Sequence, residues 1–264
     1  MHSWANDLNA LLSINGLISL LTLSVLEIVL GIDNIIFISI AVDKLQREQQ
    51  ANARTIGLIL ALVVRTILLF SIGWIAGLKD AFFHIGIYGV SGKALILFGG
   101  GVFLLIKTAQ EIIEHIYSHN DDIGSSKQGK SSFQAIIMQI IIIDFVFSFD
   151  SILAAVGLSG IILIMVSAVV ISMVLMILFS GIVADFINKN PGIKIIALSF
   201  LLLIGGILIA ESLIDCYNNT QEEINHIELN KNYAYFALAF AMMVEFINIK
   251  ERKIKRTRDF KQED

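Results

Sequence analysis

Seven long apolar segments restrict the folds that this chain can adopt. They cover approximately residues 13–41, 53–77, 91–110, 133–157, 160–187, 194–214 and 232–249. A helix needs about 20 apolar residues to cross the hydrocarbon core of a bilayer, and each segment reaches or approaches that length. Hydrophobic residues make up 56% of the sequence and charged residues only 16%. The sequence therefore predicts an all-α polytopic membrane protein with about seven transmembrane helices.

No linker rich in proline, glycine or serine divides the chain, and Pro191 is its only proline. We therefore predict one transmembrane domain, residues 1–249, followed by a basic cytoplasmic tail, residues 250–264. The single cysteine, Cys216, excludes an internal disulfide and a thiolate metal cluster. The first dozen residues contain no Lys or Arg, so we expect no cleaved signal peptide.

Lysine and arginine are distributed unevenly between the segments. Fifteen of the 19 lie in the tail or in and beside the connections after the first, third and fifth segments, three lie in or beside the other connections, and Arg65 lies well inside the second segment. Because positive charge is concentrated on the cytoplasmic side of membrane proteins, we expect the N-terminus outside and the C-terminus in the cytoplasm. The tail is expected to fix this topology and contact anionic lipid rather than bind nucleic acid.

Two copies of one motif place acidic residues inside the apolar segments. An acid is followed by three apolar residues, a small residue, one apolar residue, aspartate and a small polar residue. The first copy uses Glu27, Gly31, Asp33 and Asn34, and the second copy follows 117 residues later as Asp144, Ser148, Asp150 and Ser151. This repetition predicts two related halves, repeat A at about 13–110 and repeat B at about 133–214.

Three spans per half force the two halves into opposite orientations. The fold is therefore predicted to contain two inverted three-helix repeats plus one extra helix at about 232–249. The spacing from Gly101 to Lys107 matches that from Gly205 to Glu211, which supports the repeat. Inverted repeats are typical of secondary transporters, in which interrupted helices from both halves form the ion site near the middle of the bilayer.

The acids of each motif converge only if the helix is interrupted. Along an unbroken helix, positions 27 and 33 lie about 120° apart around the axis. We therefore hypothesise a helix break at Gly31 and at Ser148. Backbone carbonyl groups freed by a break are tolerated at membrane depth only where protein buries them or where they line a watery cavity.

Buried carboxylates require compensation, because each costs about 2.5–3.5 kcal/mol at the bilayer centre on insertion scales. Arg65 neutralises at most one of them and is favoured as a structural counter-ion. A site of oxygen ligands without a thiol suits hard divalent cations such as Mn²⁺, Mg²⁺ or Ca²⁺. The alternative is a set of protonated acids that bond to neighbouring helices. Arg65, Glu211 and Glu245 are the candidates for gating or proton transfer.

The two motifs resemble those of the TerC family, integral membrane proteins named for tellurium resistance. The resemblance rests on Leu26 to Phe37 and on Asp144 to Gly157, and it extends over about Leu17 to Ile249. It implies a seven-span bacterial inner-membrane protein linked to metal-ion homeostasis, with manganese export proposed for some members. The metal-pathway residues that it implies are Glu27, Asp33, Asn34, Asp144, Asp150 and Ser151.

Together these observations predict a divalent-cation transporter, with Mn²⁺ efflux as the leading hypothesis and coupling to protons left open. The metal is then a transported substrate, and we expect no permanently bound cofactor and no enzymatic activity. Expected partners are the lipid bilayer and the metal ion, with other membrane proteins or further copies of the chain left open.

The alternative is a non-transporting membrane partner that serves metal loading of secreted enzymes or stress resistance. An aspartyl protease is disfavoured because its Gly-x-Gly-Asp pattern is missing.

Overall fold

The structure is a computed structural model that describes residues 4–71, 78, 81–86, 88–118, 132–220, 226, 227, 229, 230 and 232–260. Some side chains inside the helices, including those of Asp33 and Asp150, lie outside this description. In chain order the described elements are α1 (Trp4–Leu12), α2 (Ile14–Val42), α3 (Arg47–Phe70), β1 (Ala81–Ile85), β2 (Tyr88–Ser91), α4 (Gly92–Ser118), α5 (Phe133–Ser159), α6 (Ile162–Lys189), α7 (Pro191–Asn218) and α8 (Asn232–Phe260).

Six of these helices, namely α2, α3, α4, α6, α7 and α8, are long and apolar enough to cross a membrane. The 27-residue helix α5 contains a shorter apolar stretch, Phe133–Phe149. Every predicted segment is helical over most of its described part, so the prediction of an all-α polytopic membrane protein is confirmed. Helix α3 ends at Phe70, earlier than the predicted limit at residue 77, and residues 72–77 lie outside the described part.

Local sequence signals explain where several helices begin and end. Ser13 precedes α2, and its hydroxyl accepts a hydrogen bond from Gly16 N at 3.0 Å, which satisfies a free amide of the first turn. Pro191 occupies the first residue of α7, where its missing N–H has no helical partner to lose. Gly160 separates α5 from α6 with φ +62°, a conformation that glycine adopts without steric penalty.

A two-stranded hairpin before α4 was not predicted. Strands β1 and β2 pair antiparallel, with His84 opposite Gly89 and Ile85 opposite Tyr88. Ser91 ends the hairpin and also starts α4, because its hydroxyl accepts a hydrogen bond from Ala94 N at 2.9 Å. The hairpin therefore fixes the entry into the third long helix of the first half.

The packing of the long helices is symmetric under exchange of the two halves. Helix α2 packs against α6, and at the equivalent place α5 packs against α3. Helix α2 also contacts α7, just as α5 contacts α4. The last helices of the halves, α4 and α7, pack extensively on each other. This pattern supports the predicted repeat, since two related halves around one axis give paired contacts of this kind.

Helix α8 lies outside the two halves and packs against α7. It extends from Asn232 to Phe260, so the described part of the predicted tail continues this helix rather than forming a loop. Its aromatic residues Tyr233, Phe236 and Phe240 are largely exposed. Apolar side chains on the outside of a transmembrane helix are expected to face lipid.

Candidate functional site

A buried arginine joins two carboxylates from different helices. Arg65 on α3 and Glu27 on α2 are each 2% exposed, and Asp144 on α5 is 4% exposed. Arg65 Nη1 donates a hydrogen bond to Glu27 Oε2, and Arg65 Nη2 lies 3.0 Å from Asp144 Oδ1. Since Glu27 and Asp144 occupy matching positions in the two motifs, one guanidinium links equivalent points of the two halves.

Two neutral side chains complete this arrangement. Asn34 Nδ2 donates to Asp144 Oδ1 at 3.3 Å, and Ser148 Oγ donates to Asp144 Oδ2 at 3.1 Å. The Ser148 hydroxyl also accepts from Arg65 Nε at 2.9 Å. We refer to Glu27, Asn34, Arg65, Asp144 and Ser148 as the charge cluster. Every nitrogen of the guanidinium has a partner in the cluster, as expected for a charge held away from water.

Helical spacing brings these residues together. Glu27 and Asn34 are two turns apart on α2 and therefore lie on one face, as do Asp144 and Ser148, one turn apart on α5. Both carboxylates are near the middle of their helices, whereas Arg65 is within the last two turns of α3. The long arginine side chain lets α3 contribute a charge to an interface formed mainly by α2 and α5.

Acidic charge exceeds basic charge in the cluster. Two carboxylates face one guanidinium, which leaves one negative charge when both acids are ionised. A charge interacts strongly with its surroundings in a low-dielectric interior, and a buried ion pair is stable only when its geometry and additional hydrogen bonds offset desolvation. One proton would balance this negative charge in full, whereas a divalent cation would balance it and leave one positive charge in excess.

The hypothesised helix breaks at Gly31 and Ser148 are not observed. Residues 14–42 and 133–159 each form one continuous α-helix. Ser148 is 0% exposed, and its hydroxyl bonds to Arg65 and Asp144 without any opening of the backbone. Gly31 instead permits close packing, because a Cβ there would lie 2.5 Å from Met176 Sδ. These small residues make room for neighbouring side chains rather than interrupting their helices.

The two halves differ in the side chain that lies beside the small residue of the motif, which is Gly31 in the first half and Ser148 in the second. Ser148 on α5 contacts Arg65 of α3, whereas Gly31, the matching residue on α2, contacts Met176 of α6. Because α3 and α6 are the second helices of their halves, the neighbouring side chains come from corresponding helices, but one is an arginine and the other a methionine. The only positive charge within the charge cluster thus comes from the first half.

The remaining predicted site residues are distributed as follows. Ser151 is 7% exposed and donates to the Ser148 carbonyl oxygen at 3.2 Å, within its own helix. Glu211 lies 4.0 Å from Lys93 Nζ, near the end of α7, and Glu245 packs against Gly192 at the start of α7. Neither belongs to the charge cluster. The side chains of Asp33 and Asp150 lie outside the described residues, so their predicted roles stay predictions.

No group of three or more His, Cys, Asp or Glu that could hold a metal ion occurs among the residues that the structure describes. Within the charge cluster, Glu27 and Asp144 supply two acidic side chains and Asn34 adds an amide. Oxygen donors of these types suit hard divalent cations. The four-acid site stays a prediction, because it includes Asp33 and Asp150, whose side chains lie outside the described residues.

Ionic contacts near the helix ends were not predicted from the sequence. Lys44 Nζ lies 2.5 Å from Glu111 Oε1 and 2.9 Å from Glu114 Oε2, which connects the end of α2 to α4. At the opposite end of α4, Lys93 Nζ lies 3.3 Å from Asp215 Oδ1. The spacing of Glu111 and Glu114, three residues apart on one helix face, is the signal that could have indicated a shared cation.

Long apolar helices and a buried cluster of opposite charges define this chain as an integral membrane protein with a polar centre. It belongs to the TerC family of integral membrane proteins, whose family model matches residues 12–259. It is 41% identical over 239 residues to a "UPF0053 protein" of Haemophilus influenzae, covering 90% of this chain and 95% of that relative.

Two relatives from Escherichia coli K12 extend the comparison. The "UPF0053 inner membrane protein YgdQ" is 41% identical over 253 residues, covering 96% of this chain and 98% of the relative. The "UPF0053 inner membrane protein YoaE" is 41% identical over 229 residues, covering 87% of this chain but only 42% of the longer relative. No solved structure shows significant similarity to the chain. The resemblance to the TerC family noted from the motifs is confirmed.

Proposed function

We propose that the chain is an inner-membrane transporter of a divalent metal cation, with Mn²⁺ as the leading candidate and export as its direction. The observation that carries this proposal is the pairing of Glu27 with Asp144. These acids come from equivalent positions of two halves, are almost fully buried, and share a single guanidinium. Intramembrane acids that face a protein interior are typical of ion and proton pathways.

The chemistry of the charge cluster favours a cation as substrate. Its carboxylate and amide oxygens are hard ligands, and its net charge becomes negative when both acids ionise. Ser24, one turn before Glu27, is 6% exposed, and its hydroxyl has no hydrogen-bond partner in the described part of the chain. A polar atom buried in this way is available to an ion or to its hydration water.

Arg65 acts in this proposal as a permanent counter-ion that keeps the empty cluster stable. Asp33 and Asp150, together with Asn34 and Ser151, provide further oxygen ligands along α2 and α5. Positions 27 and 33 lie about 120° apart around the axis of a continuous helix, so in this proposal the acids of each motif act as successive stations of a pathway rather than as one site. Proton exchange at Glu27 or Asp144 would neutralise an acid when the metal leaves and so reduce the penalty of an empty site.

An inner-membrane location is proposed from the relatives named as inner membrane proteins. The positive-inside pattern supports a cytoplasmic location for the ends of α2, α4 and α6. In this orientation a metal ion enters from the cytoplasmic ends of these helices and passes the charge cluster on its way out.

The test is ⁵⁴Mn²⁺ flux in proteoliposomes that contain the purified full chain, with and without a pH gradient. Wild-type protein should carry flux that Mg²⁺ or Ca²⁺ inhibits only at higher concentrations. Asp144→Asn and Asp33→Asn should abolish the flux. The matched control is Glu48→Gln, which removes an exposed carboxylate at the start of α3 and should retain flux.

Equal flux in wild type and Asp144→Asn would contradict the proposed pathway. Absence of flux for every divalent ion in the wild type would contradict transport itself and favour the non-transporting partner. Size-exclusion profiles and thermal stability must be matched between variants, so that a loss of flux reports on the pathway rather than on folding.

A further inference from the structure

A cavity of about 590 Å³ opens at the end of the molecule where α2 and α6 finish and α3 and α7 begin. We refer to it as the basic cavity. Its lining contains four cationic residues and two acidic ones: Arg47, Arg54, Lys189, Lys194, Asp43 and Asp185. It lies apart from the charge cluster, whose residues do not line it. The proposed transport function does not explain why four cations surround one concave space.

One of the two acidic residues, Asp43, is already bonded to other residues of the lining. Asp43 Oδ2 accepts from Lys194 Nζ at 3.0 Å, and Asp43 Oδ1 accepts from Asn188 Nδ2 at 3.2 Å. Both carboxylate oxygens of Asp43 are therefore occupied by donors of the protein. The charges left in the lining are Arg47, Arg54 and Lys189 against Asp185, which is an excess of two positive charges.

These cations retain unused donors. Arg54 Nη1 donates to the Ser180 carbonyl oxygen at 3.1 Å, which leaves most of its N–H groups available. Arg47 and Lys189 are exposed and form no ion pair with the described residues. Two helices begin and two end at the cavity, so their dipoles oppose one another, and the side-chain charges decide the sign of the local potential.

We propose that the basic cavity binds a phosphate group, carried by an anionic phospholipid or by a soluble phosphate compound. Guanidinium groups match the geometry of phosphate oxygens with paired hydrogen bonds, and Lys189 adds a point charge. The volume falls in the range of small-ligand sites and leaves room for the glycerol or sugar that carries the phosphate. Basic pockets between transmembrane helices at the cytoplasmic side are suited to lipid headgroups.

The experiment compares two double variants of the purified full chain after removal of bound lipid. Arg47→Gln/Lys189→Gln removes two unpaired cations from the basic cavity. Lys93→Gln/Lys107→Gln removes two cations that do not line it and serves as the matched control. Retention of phosphatidylglycerol and phosphatidylcholine is measured by native mass spectrometry, and binding of inorganic phosphate is measured by calorimetry.

Preferential retention of phosphatidylglycerol, weakened about thirtyfold in the cavity variant and unchanged in the control, is expected for a lipid site. Binding of inorganic phosphate with the same dependence on the variants would support the proposal and identify a soluble source. Arg47→Lys keeps the charge but loses the paired hydrogen bonds of the guanidinium, so its affinity should fall between those of the wild type and of the cavity variant. Equal losses in both double variants, or no binding of either probe by the wild type, would overturn the proposal.

Discussion

Gly101 of α4 and Gly205 of α7 cross with their backbones in direct contact. A Cβ on Gly101 would lie 2.8 Å from the carbonyl oxygen of Gly205, and a Cβ on Gly205 would lie 3.2 Å from the carbonyl oxygen of Gly101. The reciprocity is the feature expected where a two-fold axis passes between matching residues. Small residues at such crossings let transmembrane helices approach closely enough for extensive packing.

Gly101→Ala should therefore separate α4 from α7 and destabilise the protein. Overpacking of a tight contact costs about 1–3 kcal/mol, and here the obstructing atoms belong to a backbone that has little freedom to move. Gly99→Ala is the matched control, because a Cβ at Gly99 meets no atom within 4 Å. Thermal unfolding of the purified protein in detergent should show a lower melting temperature for Gly101→Ala alone. An equal decrease in melting temperature for both variants would contradict the assignment of the loss to the helix crossing.

Arg65→Gln should be among the most destabilising substitutions in the chain. It leaves Glu27 and Asp144 buried beside each other without their cation, and breaking a buried ion pair in this way costs about 3–5 kcal/mol. Glu27→Gln in the same chain removes one of the two carboxylates and should recover part of the loss. A double-mutant cycle on melting temperature measures this coupling. Additive effects of the two substitutions would show that the ion pair contributes little.

Ser148→Ala should weaken the protein more than Ser151→Ala. Ser148 Oγ bonds to Arg65 and to Asp144, so its loss leaves two buried charged groups each with one partner fewer. Ser151 Oγ bonds only to a carbonyl of its own helix. An unsatisfied buried group costs about 1–3 kcal/mol, whereas a single neutral hydrogen bond contributes about 1 kcal/mol. Parallel melting curves test the order, and equal shifts would contradict the bridging role of Ser148.

Lys44 provides a prediction about pH. Burial lowers the pKa of Lys44, but its hydrogen bonds and its attraction to Glu111 and Glu114 outweigh burial and raise that pKa above the ordinary 10.5. A raised pKa in the folded state means that the contribution of Lys44 to stability is complete below 10.5 and disappears as pH rises through the folded-state pKa.

Lys44→Met should lower the melting temperature at pH 8, and the difference from wild type should persist to about pH 10 and shrink at higher pH. Lys107→Met is the control, since no ion pair of Lys107 occurs among the described residues. Melting temperatures across this pH range measure the effect. A difference that shrinks well below pH 10 would contradict the assigned sign of the pKa shift.

Much of the fold follows from patterns that the sequence displays. The seven apolar segments predict the long helices, and the pair formed by Glu27 and Asp144 was visible as a repeat 117 residues apart. The equivalence of Gly101 and Gly205 also followed from spacing. These features can be predicted from sequence because a helix needs a long apolar segment to cross a bilayer, and because acidic residues are rare within such segments.

Other features depend on contacts between distant residues and leave no local signal. Gly31 and Ser148 suggested breaks, yet one accommodates Met176 and the other bonds to Arg65 while both helices continue. The hydrogen bonds of Arg65 to three side chains could not be predicted, because that would require knowing that α3 packs against α5. The hairpin formed by residues 81–91 was missed because it is short and lies between two dominant apolar segments.

The difference between Arg65 and Met176 has a consequence for any motion that exchanges the roles of the halves. Two identical halves would give two conformations of equal energy, one open to each side of the membrane, and both would be equally populated. Here the residue beside Ser148 is Arg65 and the residue beside Gly31 is Met176, so the two halves are not identical at this point. Under the proposed transport function, this difference would make the two exchanged conformations unequal in energy.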